Sequence, residues 1–257
     1  MGIFDGILLC SDMDGTLIDN KGIISKENSE AIKYFQENGG LFTVATGRRP
    51  EFPENFAESF VINTYIVALN GSIIYDPIKK EFVEKHPLGE NVKSDIKKIM
   101  ETFPGIGELQ IHAEENLYIK GKDEDICDFL AKIDERMFDI MFIQDKETTA
   151  RLKDEIPKAF PGYKFCRGWP EGLEMFSANG GKGSGILKAK QLTGSRLVVS
   201  AGNYDNDTEM IKMADIGVCV SGSSEEVLEA ADVVTVSCDE SAIAVIIEEL
   251  KKERPFK

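Results

Sequence analysis

Two aspartates one residue apart follow an apolar run near the start of the chain. The run Leu-Leu-Cys at residues 8–10 is typical of a buried strand, and Asp12 and Asp14 come almost directly after it. Two like charges this close raise the pKa of one carboxyl group, and a bound cation relieves their repulsion. A carboxylate can also attack phosphorus and form an aspartyl-phosphate, which divides phosphoryl transfer into two easier steps. We therefore interpret Asp12 as a nucleophile, and Asp14 as the general acid for the leaving alkoxide and later the base for water.

Three further polar clusters stand where a strand ends or a helix begins. Thr46 and Gly47 end an apolar run, and a hydroxyl and a backbone N–H at such a place can bind phosphate. Lys182 stands at the start of a helical pattern, where it would neutralise both Asp12 and a phosphoryl group in transfer. The third cluster, residues 203–207, follows another strand. Oxygen ligands suit a hard cation, so we expect Mg²⁺ to hold the carboxylates and the phosphate together.

Each cluster alone has an ordinary structural explanation. Asp and Gly are common in turns, so an isolated D-x-D-G is often only a turn, and an isolated lysine is commonly a solvated surface residue. The four clusters are distant in the sequence, yet all of them fall at predicted strand ends or helix starts. Because ligands of parallel α/β sheets bind beyond the carboxyl ends of the strands, the joint pattern favours one shared site.

Strands alternate with helices at both ends of the chain, and this alternation would position the clusters. The runs "ILLCSD", "LFTVATG" and "TYIVALNG" predict buried strands, and the helix between the first two starts after Ser25 as N-cap and is stopped by Gly39. Between about residues 76 and 177, helical stretches alternate with short strand candidates, which indicates a separate α+β unit. From residue 182 the first pattern returns. We therefore predict an α/β fold with a parallel sheet, whose two sequence halves flank an inserted domain.

Composition and charge narrow the class of protein. The chain of 257 residues is 42% hydrophobic and 29% charged, as in ordinary globular proteins. Its net charge of −15 argues against a nucleic-acid partner, because phosphate backbones require clustered Lys and Arg. The sequence contains no apolar stretch that could span a bilayer and no signal-peptide pattern at its start, so we expect a cytoplasmic protein with no membrane partner.

Other residue types add little evidence for a second site. The five cysteines are scattered without a C-x-x-C spacing, as free structural thiols are. The two histidines lie far apart in the sequence, which does not support a His-based metal site or a Ser-His-Asp triad. In the inserted domain, Arg167 and Trp169 could contact a distal anion and a sugar, but packing of Trp169 within that domain or its hinge is the favoured interpretation.

Four motifs resemble those of the haloacid dehalogenase-like (HAD) superfamily, and specifically its Cof-type phosphatases with a type IIB cap. They are "DMDGTL" at residues 12–17, "ATGRR" at 45–49, "GGKGSGI" at 180–186 and "GNYDNDTEM" at 202–210. The resemblance implies a Rossmann-like parallel core formed by residues 1–78 and 179–257. It also implies an inserted α+β cap of type IIB at residues 79–178.

The resemblance further implies an activity and residue roles. It implies Mg²⁺-dependent hydrolysis of a phosphate monoester through phospho-Asp12, with Lys182 as the motif lysine. Asn206 would stand near the phosphate and Lys182. The second aspartate of the first motif, Asp14, favours phosphatase over dehalogenase chemistry, because the dehalogenase branch lacks it.

The fourth motif departs from the family pattern at a metal ligand. In the family the metal is held by the first-motif nucleophile, the backbone carbonyl of the second aspartate and an aspartate of the fourth motif. That motif usually opens with Gly-Asp, whereas here it reads Gly202-Asn203. We expect Mg²⁺ to bind through Asp12, Asp14 and Asn203, with Asp207 beside it, and with a lower affinity than an aspartate ligand would give.

We expect a phosphatase that acts on a small phosphorylated metabolite, such as a sugar phosphate, as a monomer or homodimer. One alternative is a phosphosugar mutase of the phosphomannomutase type, which would use the same phospho-Asp12 but pass the phosphoryl group to a second sugar hydroxyl. Another is a degenerate, non-catalytic binding or regulatory module, which Asn203 would suggest. The intact Asp12, Asp14, Thr46 and Lys182 weigh against that module.

Overall fold

The chain is described by a computed structural model that covers residues 2–121, 123–252 and 256. It divides into two compact units. The first unit runs to Glu84 and resumes at Lys182, and the second unit is the segment Lys85–Gly181. All of the predicted site residues lie in the first unit.

The strands are β1 (Ile7–Ser11), β2 (Leu41–Val44), β3 (Ile66–Ala68), β4 (Ile73–Asp76), β5 (Glu81–Lys85), β6 (Glu108–Ala113), β7 (Leu117–Ile119), β8 (Met137–Ile143), β9 (Tyr163–Trp169), β10 (Gly172–Ser177), β11 (Leu197–Gly202), β12 (Ile216–Val220) and β13 (Val233–Thr235). The helices are α1 (Lys26–Glu37), α2 (Val92–Thr102), α3 (Ile126–Ala131), α4 (Lys146–Ala159), α5 (Lys182–Thr193), α6 (Thr208–Met213), α7 (Glu225–Ala230) and α8 (Ala242–Leu250). Within the described ranges, no helix combines the length and apolar character needed to cross a membrane.

A five-stranded parallel sheet forms the centre of the first unit. Its order is β13-β12-β11-β1-β2, and all four neighbouring pairs are parallel. All five residues of β1 are buried, as expected for a strand covered on both faces. The predicted α/β fold with a parallel sheet is therefore confirmed.

Helices pack on this sheet. Successive side chains of each strand point to opposite faces of the sheet, so every second side chain contacts the helices on one face. Leu8 and Cys10 of β1 pack in one cluster with Ile186 and Ala189 of α5 and with Met210 of α6. Burial of a large aliphatic side chain of this kind contributes about 1.5–3 kcal/mol to stability. The helix α1 contacts β2 and packs along α8. This packing fixes the start of α5 relative to the end of β1.

The predicted ends of α1 are confirmed. Ser25 accepts a hydrogen bond from the backbone N–H of Asn28 at 3.1 Å, so it is the N-cap. The helix ends at Glu37, and Gly39 follows with a positive φ of 91°, a conformation that glycine adopts without a steric cost.

The strand β3 departs from the predicted parallel arrangement. It reaches the main sheet through a single parallel bridge between Ala45 and Val67, and then pairs with β4 in antiparallel orientation. The reason is the turn at residues 69–71, where three successive positive φ values of 45°, 49° and 79° reverse the chain at once. Strand β5 completes this small sheet. The second unit begins at Lys85, the last residue of β5, whereas the sequence-based boundaries lie at residues 79 and 178.

The second unit is an antiparallel sheet with helices. Its strand order is β7-β6-β8-β10-β9, and its core joins one face of the sheet to the apolar sides of α2, α3 and α4. Sequence patterns did not predict α2 or β6. In β6 the buried residues Leu109, Ile111 and Ala113 alternate with polar ones, so no continuous apolar run marks the strand. The indole of Trp169 lies over Gly172, where a Cβ atom would be 2.4 Å from the ring, which supports the packing interpretation of Trp169.

The strand order creates a switch point beside β1. The chain passes from β1 to β2 on one side, and later returns through α5 to β11 on the other side. Ligands of open α/β sheets bind at the carboxyl ends of the strands where the order reverses. The residues that stand at these ends are Asp12, directly after β1, and Asn203, directly after β11.

Candidate active site

A buried ammonium group lies between two buried carboxylates. Lys182, the first residue of α5, donates from Nζ to Asp12 Oδ1 at 2.7 Å and to Asp207 Oδ1 at 2.6 Å. The exposed fraction is 6% for Asp12, 1% for Lys182 and 0% for Asp207. Charged groups this far from water are stable only when they are paired. These three residues therefore form one electrostatic unit, which we call the buried ion cluster.

The buried ion cluster contains more negative than positive charge. Two carboxylates and one ammonium sum to a net charge of −1 when all three are ionised. Burial, and then the charge of Asp207, raises the pKa of Asp12 from 3.8 to about 7, against the lowering effect of Lys182. Burial disfavours the charged form of Lys182, but the two carboxylates outweigh it and raise the pKa of this lysine. At neutral pH the site therefore needs a proton or a bound cation to balance its charge.

Glycines in α5 allow Lys182 to reach this position. A Cβ atom at Gly183 would lie 2.8 Å from the backbone oxygen of Glu209 in α6. One at Gly185 would lie 2.4 Å from Cγ1 of Val67 in β3. Because real side chains do not tolerate such distances, the first turn of α5 can approach α6 and β3 only with glycine at both positions. The K-G-x-G spacing is thus a packing requirement of the site.

Asp207 also holds the loop that carries Asn203. Its Oδ2 accepts the backbone N–H of Asn203 at 2.8 Å and that of Tyr204 at 3.2 Å, while Oδ1 accepts from Lys182. Both carboxylate oxygens are therefore engaged with donors of the protein. These bonds make Asp207 an anchor for the loop and for Lys182, and its role beside a metal stays a prediction.

Asp14 is paired with Arg48, which belongs to the polar cluster after the second predicted strand but was given no role by the sequence analysis. The guanidinium of Arg48 donates from Nε to Asp14 Oδ2 at 2.8 Å and from a terminal nitrogen to Oδ1 at 2.9 Å. The carbon Cζ of Arg48 lies 4.0 Å from the centre of the Phe52 ring. Both side chains of the pair are about half exposed. The hydrogen bond to Asp14 raises the pKa of Arg48, so this pair fixes the direction of the Asp14 carboxylate.

Thr46 and Asn206 are joined through Asn70. The backbone N–H of Asn70 donates to the carbonyl oxygen of Thr46 at 3.0 Å, and its Oδ1 accepts from Asn206 Nδ2 at 3.3 Å. Thr46 Oγ1 accepts the backbone N–H of Arg48 at 3.1 Å, and its hydroxyl proton can still be donated to a phosphoryl oxygen. Gly47 lies between Thr46 and Arg48 in the sequence. The structure thus joins Thr46 of the second motif and Asn206 of the fourth motif through one network of hydrogen bonds.

Asn70 is a site residue that sequence reasoning missed. Its φ of 49° and ψ of 38° are left-handed, a backbone conformation that Asn tolerates better than most residues. Leu69, just before it, has a φ of 45°, which is unfavourable for a branched side chain. Buried strain of this kind is concentrated at functional sites. The sequence contains a signal for this turn, because the dipeptide Asn-Gly, which is typical of turns, directly follows the apolar run of the strand.

The side-chain amide of Asn203 faces oxygens of the first motif. One of its terminal atoms lies 3.2 Å from Asp12 Oδ2, 3.1 Å from the carbonyl oxygen of Asp14 and 3.1 Å from Thr16 Oγ1. Neighbouring oxygen ligands of an octahedral Mg²⁺ are about 3 Å apart, because each lies about 2.1 Å from the ion. With its amide oxygen turned inward, Asn203 therefore fits a shared cation together with Asp12 and Asp14. Among the residues that the structure describes, no three His, Cys, Asp or Glu side chains are grouped to hold a metal, so such a cation depends on amide and backbone oxygens.

The chain belongs to the haloacid dehalogenase-like hydrolases. The model of this family matches residues 9–247. The resemblance that the four motifs indicated is therefore confirmed, and the chain is an enzyme of a hydrolase family.

Similar proteins cover almost the whole chain. YxeH of Bacillus subtilis is 28% identical over 270 residues, which span 95% of this chain and 97% of YxeH. A 5-amino-6-(5-phospho-D-ribitylamino)uracil phosphatase of the same organism, YcsE, is 26% identical over 244 residues, which span 93% of this chain and 94% of YcsE. The solved structure of the HAD subclass IIB sugar phosphatase BT4131 is 21% identical and covers 94% of this chain and 97% of its own, with a TM-score of 0.79. At this identity the structure shows a shared fold, which confirms the predicted core with a type IIB cap.

Replacing Asp12 by Asn should stabilise the metal-free protein. The variant removes one of two buried carboxylates and keeps an oxygen for Lys182. Because the pKa of Asp12 is raised in the folded state, the folded wild type binds this proton more tightly than the unfolded chain, and it loses stability as the pH rises from about 4 through about 7. Thermal unfolding in EDTA should therefore show a higher Tm for Asp12→Asn, by about 2–4 °C for each 1 kcal/mol gained, near pH 8.

The difference in Tm between Asp12→Asn and the wild type should depend on pH. Near pH 5 the wild-type Asp12 is already protonated, so the two proteins should have nearly equal Tm values. The matched control is Asp14→Asn, which changes a half-exposed carboxylate and loses the pairing with Arg48. It should bring no such gain. An Asp12→Asn advantage that is the same at both pH values would contradict the raised pKa.

Proposed function

We propose that this chain is a Mg²⁺-dependent phosphatase that hydrolyses small phosphate monoesters, sugar phosphates or related metabolites, through an aspartyl-phosphate on Asp12. The observation that carries the proposal is the buried carboxylate of Asp12, held by Lys182 at the switch point of a HAD-like hydrolase fold. The phosphatase name of the similar protein YcsE supports this reaction, and its phosphorylated ribityl substrate supports the substrate class.

In the first step the carboxylate of Asp12 attacks phosphorus, and the bond from phosphorus to the leaving oxygen breaks. Lys182 stays paired with Asp12 and counters negative charge in the transition state. Asp14, protonated at this stage, gives its proton to the leaving alkoxide and becomes a carboxylate. In the second step Asp14 takes a proton from water, which attacks the phosphorus of phospho-Asp12. Inorganic phosphate then leaves, and the free carboxylate is restored.

The other network residues hold the substrate and the acid. Thr46 and Asn206 supply a hydroxyl and an amide for the phosphoryl oxygens, and the backbone N–H of Gly47 is a third donor. Arg48 orients the carboxyl group of Asp14 through two hydrogen bonds. Asp207 acts as a positioning residue for Lys182 and the loop of Asn203.

The charges of the site support a divalent cation. When all five side chains are ionised, Asp12, Asp207 and Asp14 carry three negative charges and Lys182 and Arg48 carry two positive charges, so their sum is −1. A site of this sign repels a phosphate monoester dianion. Asp12, the carbonyl oxygen of Asp14 and the amide oxygen of Asn203 would hold Mg²⁺, which would reverse the sign of the site and polarise the phosphoryl oxygens.

Phosphate release from a panel of sugar phosphates and other metabolite phosphates tests the proposal. With Mg²⁺ present, the wild type should release inorganic phosphate without any bisphosphate activator, and Asp12→Asn should release none. Release that needs a sugar bisphosphate, with transfer to a second hydroxyl, would instead identify the mutase. No turnover on the whole panel, with a wild type that is folded by thermal unfolding, would favour the non-catalytic module.

Removal of the Arg48 side chain should lower kcat/KM most for substrates with poor leaving groups. An alkyl phosphate needs the proton of Asp14, whereas p-nitrophenyl phosphate releases a stable phenolate without it. Arg48→Ala should therefore lower kcat/KM for a hexose phosphate by about 10–100-fold more than for p-nitrophenyl phosphate. Arg48→Lys, which keeps the charge but not the two-pronged contact, should fall between. An equal loss on both substrates would show that Arg48 does not act through Asp14.

A further inference from the structure

The side-chain amide of Asn203 lies against oxygens of Asp12 and Asp14. Its nitrogen would attract these oxygens, and its oxygen would repel them. The atom that faces Asp12 Oδ2 and the carbonyl oxygen of Asp14, at 3.2 Å and 3.1 Å, meets oxygens that only accept hydrogen bonds. An amide nitrogen at this position donates to both of them. An amide oxygen at the same position accepts the hydroxyl of Thr16 at 3.1 Å, but it meets the oxygens of Asp12 and Asp14 with no proton between them, a repulsion that a cation would offset.

Only the amide has to turn to exchange these two states. The backbone N–H of Asn203 is held by Asp207 Oδ2 at 2.8 Å, and its carbonyl oxygen accepts the N–H of Ser224 at 2.9 Å. The outer amide atom lies against Gly15, where a Cβ atom would be 2.5 Å away. Gly15 therefore leaves room for either end of the amide. A half-turn about the Cβ–Cγ bond exchanges nitrogen and oxygen without any movement of the loop.

We infer that Asn203 is a two-position amide switch that replaces the cation when Mg²⁺ is absent. In the metal-free enzyme the nitrogen points inward and donates to Asp12 and Asp14. In the loaded enzyme the oxygen points inward and joins the same two residues as a ligand. The inference rests on the Mg²⁺ site of the proposed function, and adds how that site is regulated.

Two consequences separate this switch from an ordinary aspartate ligand. Mg²⁺ has to displace two hydrogen bonds and gains a neutral ligand, so its affinity is lowered and the site responds to the free Mg²⁺ concentration. In return, the nitrogen offsets part of the uncompensated charge of the buried ion cluster, so the protein is stable without metal. An aspartate at position 203 can make neither hydrogen bond and adds a further negative charge beside Asp12.

Thermal unfolding and calorimetric titration with Mg²⁺ alone, without substrate, test the switch in wild type, Asn203→Asp and Asn203→Ala. In EDTA the Tm should fall in the order wild type, Asn203→Ala, Asn203→Asp. The Mg²⁺ affinity should be at least tenfold higher for Asn203→Asp than for wild type, and lowest for Asn203→Ala. A metal-free Asn203→Asp that is as stable as wild type, or an Asn203→Ala that binds Mg²⁺ as well as wild type, would overturn the inference.

A measurement on the wild type covers the case in which Asn203→Asp does not fold. The side-chain amide signal of Asn203 in a ¹⁵N spectrum is identified by its loss in Asn203→Ala. Saturation with Mg²⁺ should shift this signal and speed the exchange of its protons with water, because both hydrogen bonds are released. An unchanged signal at saturation would overturn the switch. Because these readouts contain no turnover, they can succeed when the phosphate-release panel fails, and the two proposals fail separately.

Discussion

The structure of the site depends on one buried ammonium group shared by two carboxylates. Lys182 pairs with Asp12 from β1 and with Asp207 from the loop after β11, and all three side chains are almost free of solvent. Removing Lys182 would leave two unpaired carboxylates inside the protein, which costs several kcal/mol. The strand order that places β11 beside β1, and the glycines that let α5 approach, are therefore conditions for this contact.

The same contact leaves a charge that the protein does not balance itself. The chain reduces this imbalance in three ways: it raises the pKa of Asp12, it pairs Asp14 with Arg48, and it offers the amide of Asn203 to Asp12. None of these supplies the double positive charge that a phosphate dianion needs. In this account the surplus negative charge is the reason that a divalent cation and a phosphoryl group bind together.

Much of the core could be predicted from the sequence, because its strands are continuous apolar runs that end in polar clusters. Asp12 and Lys182 were assigned to one site from position alone, and the structure joins them by a hydrogen bond across 170 residues. The contact of Arg48 with Asp14 spans 34 residues, and no local pattern encodes such a pairing. Asn70 was missed for another reason. Its apolar neighbours predicted a strand that continues through this position, whereas the chain makes a left-handed turn there. In the cap, β6 was not predicted, although the alternation of apolar and polar residues along it is typical of a half-buried strand.

The most direct test of the account is mass spectrometry of the enzyme quenched during a single turnover of a hexose phosphate with Mg²⁺. The account predicts a transient phosphoryl adduct on the peptide that carries Asp12, which appears before inorganic phosphate and is absent from Asp12→Asn. Phosphate that is released at the wild-type rate with no adduct at any time, or an adduct on a different side chain, would contradict a covalent path through Asp12.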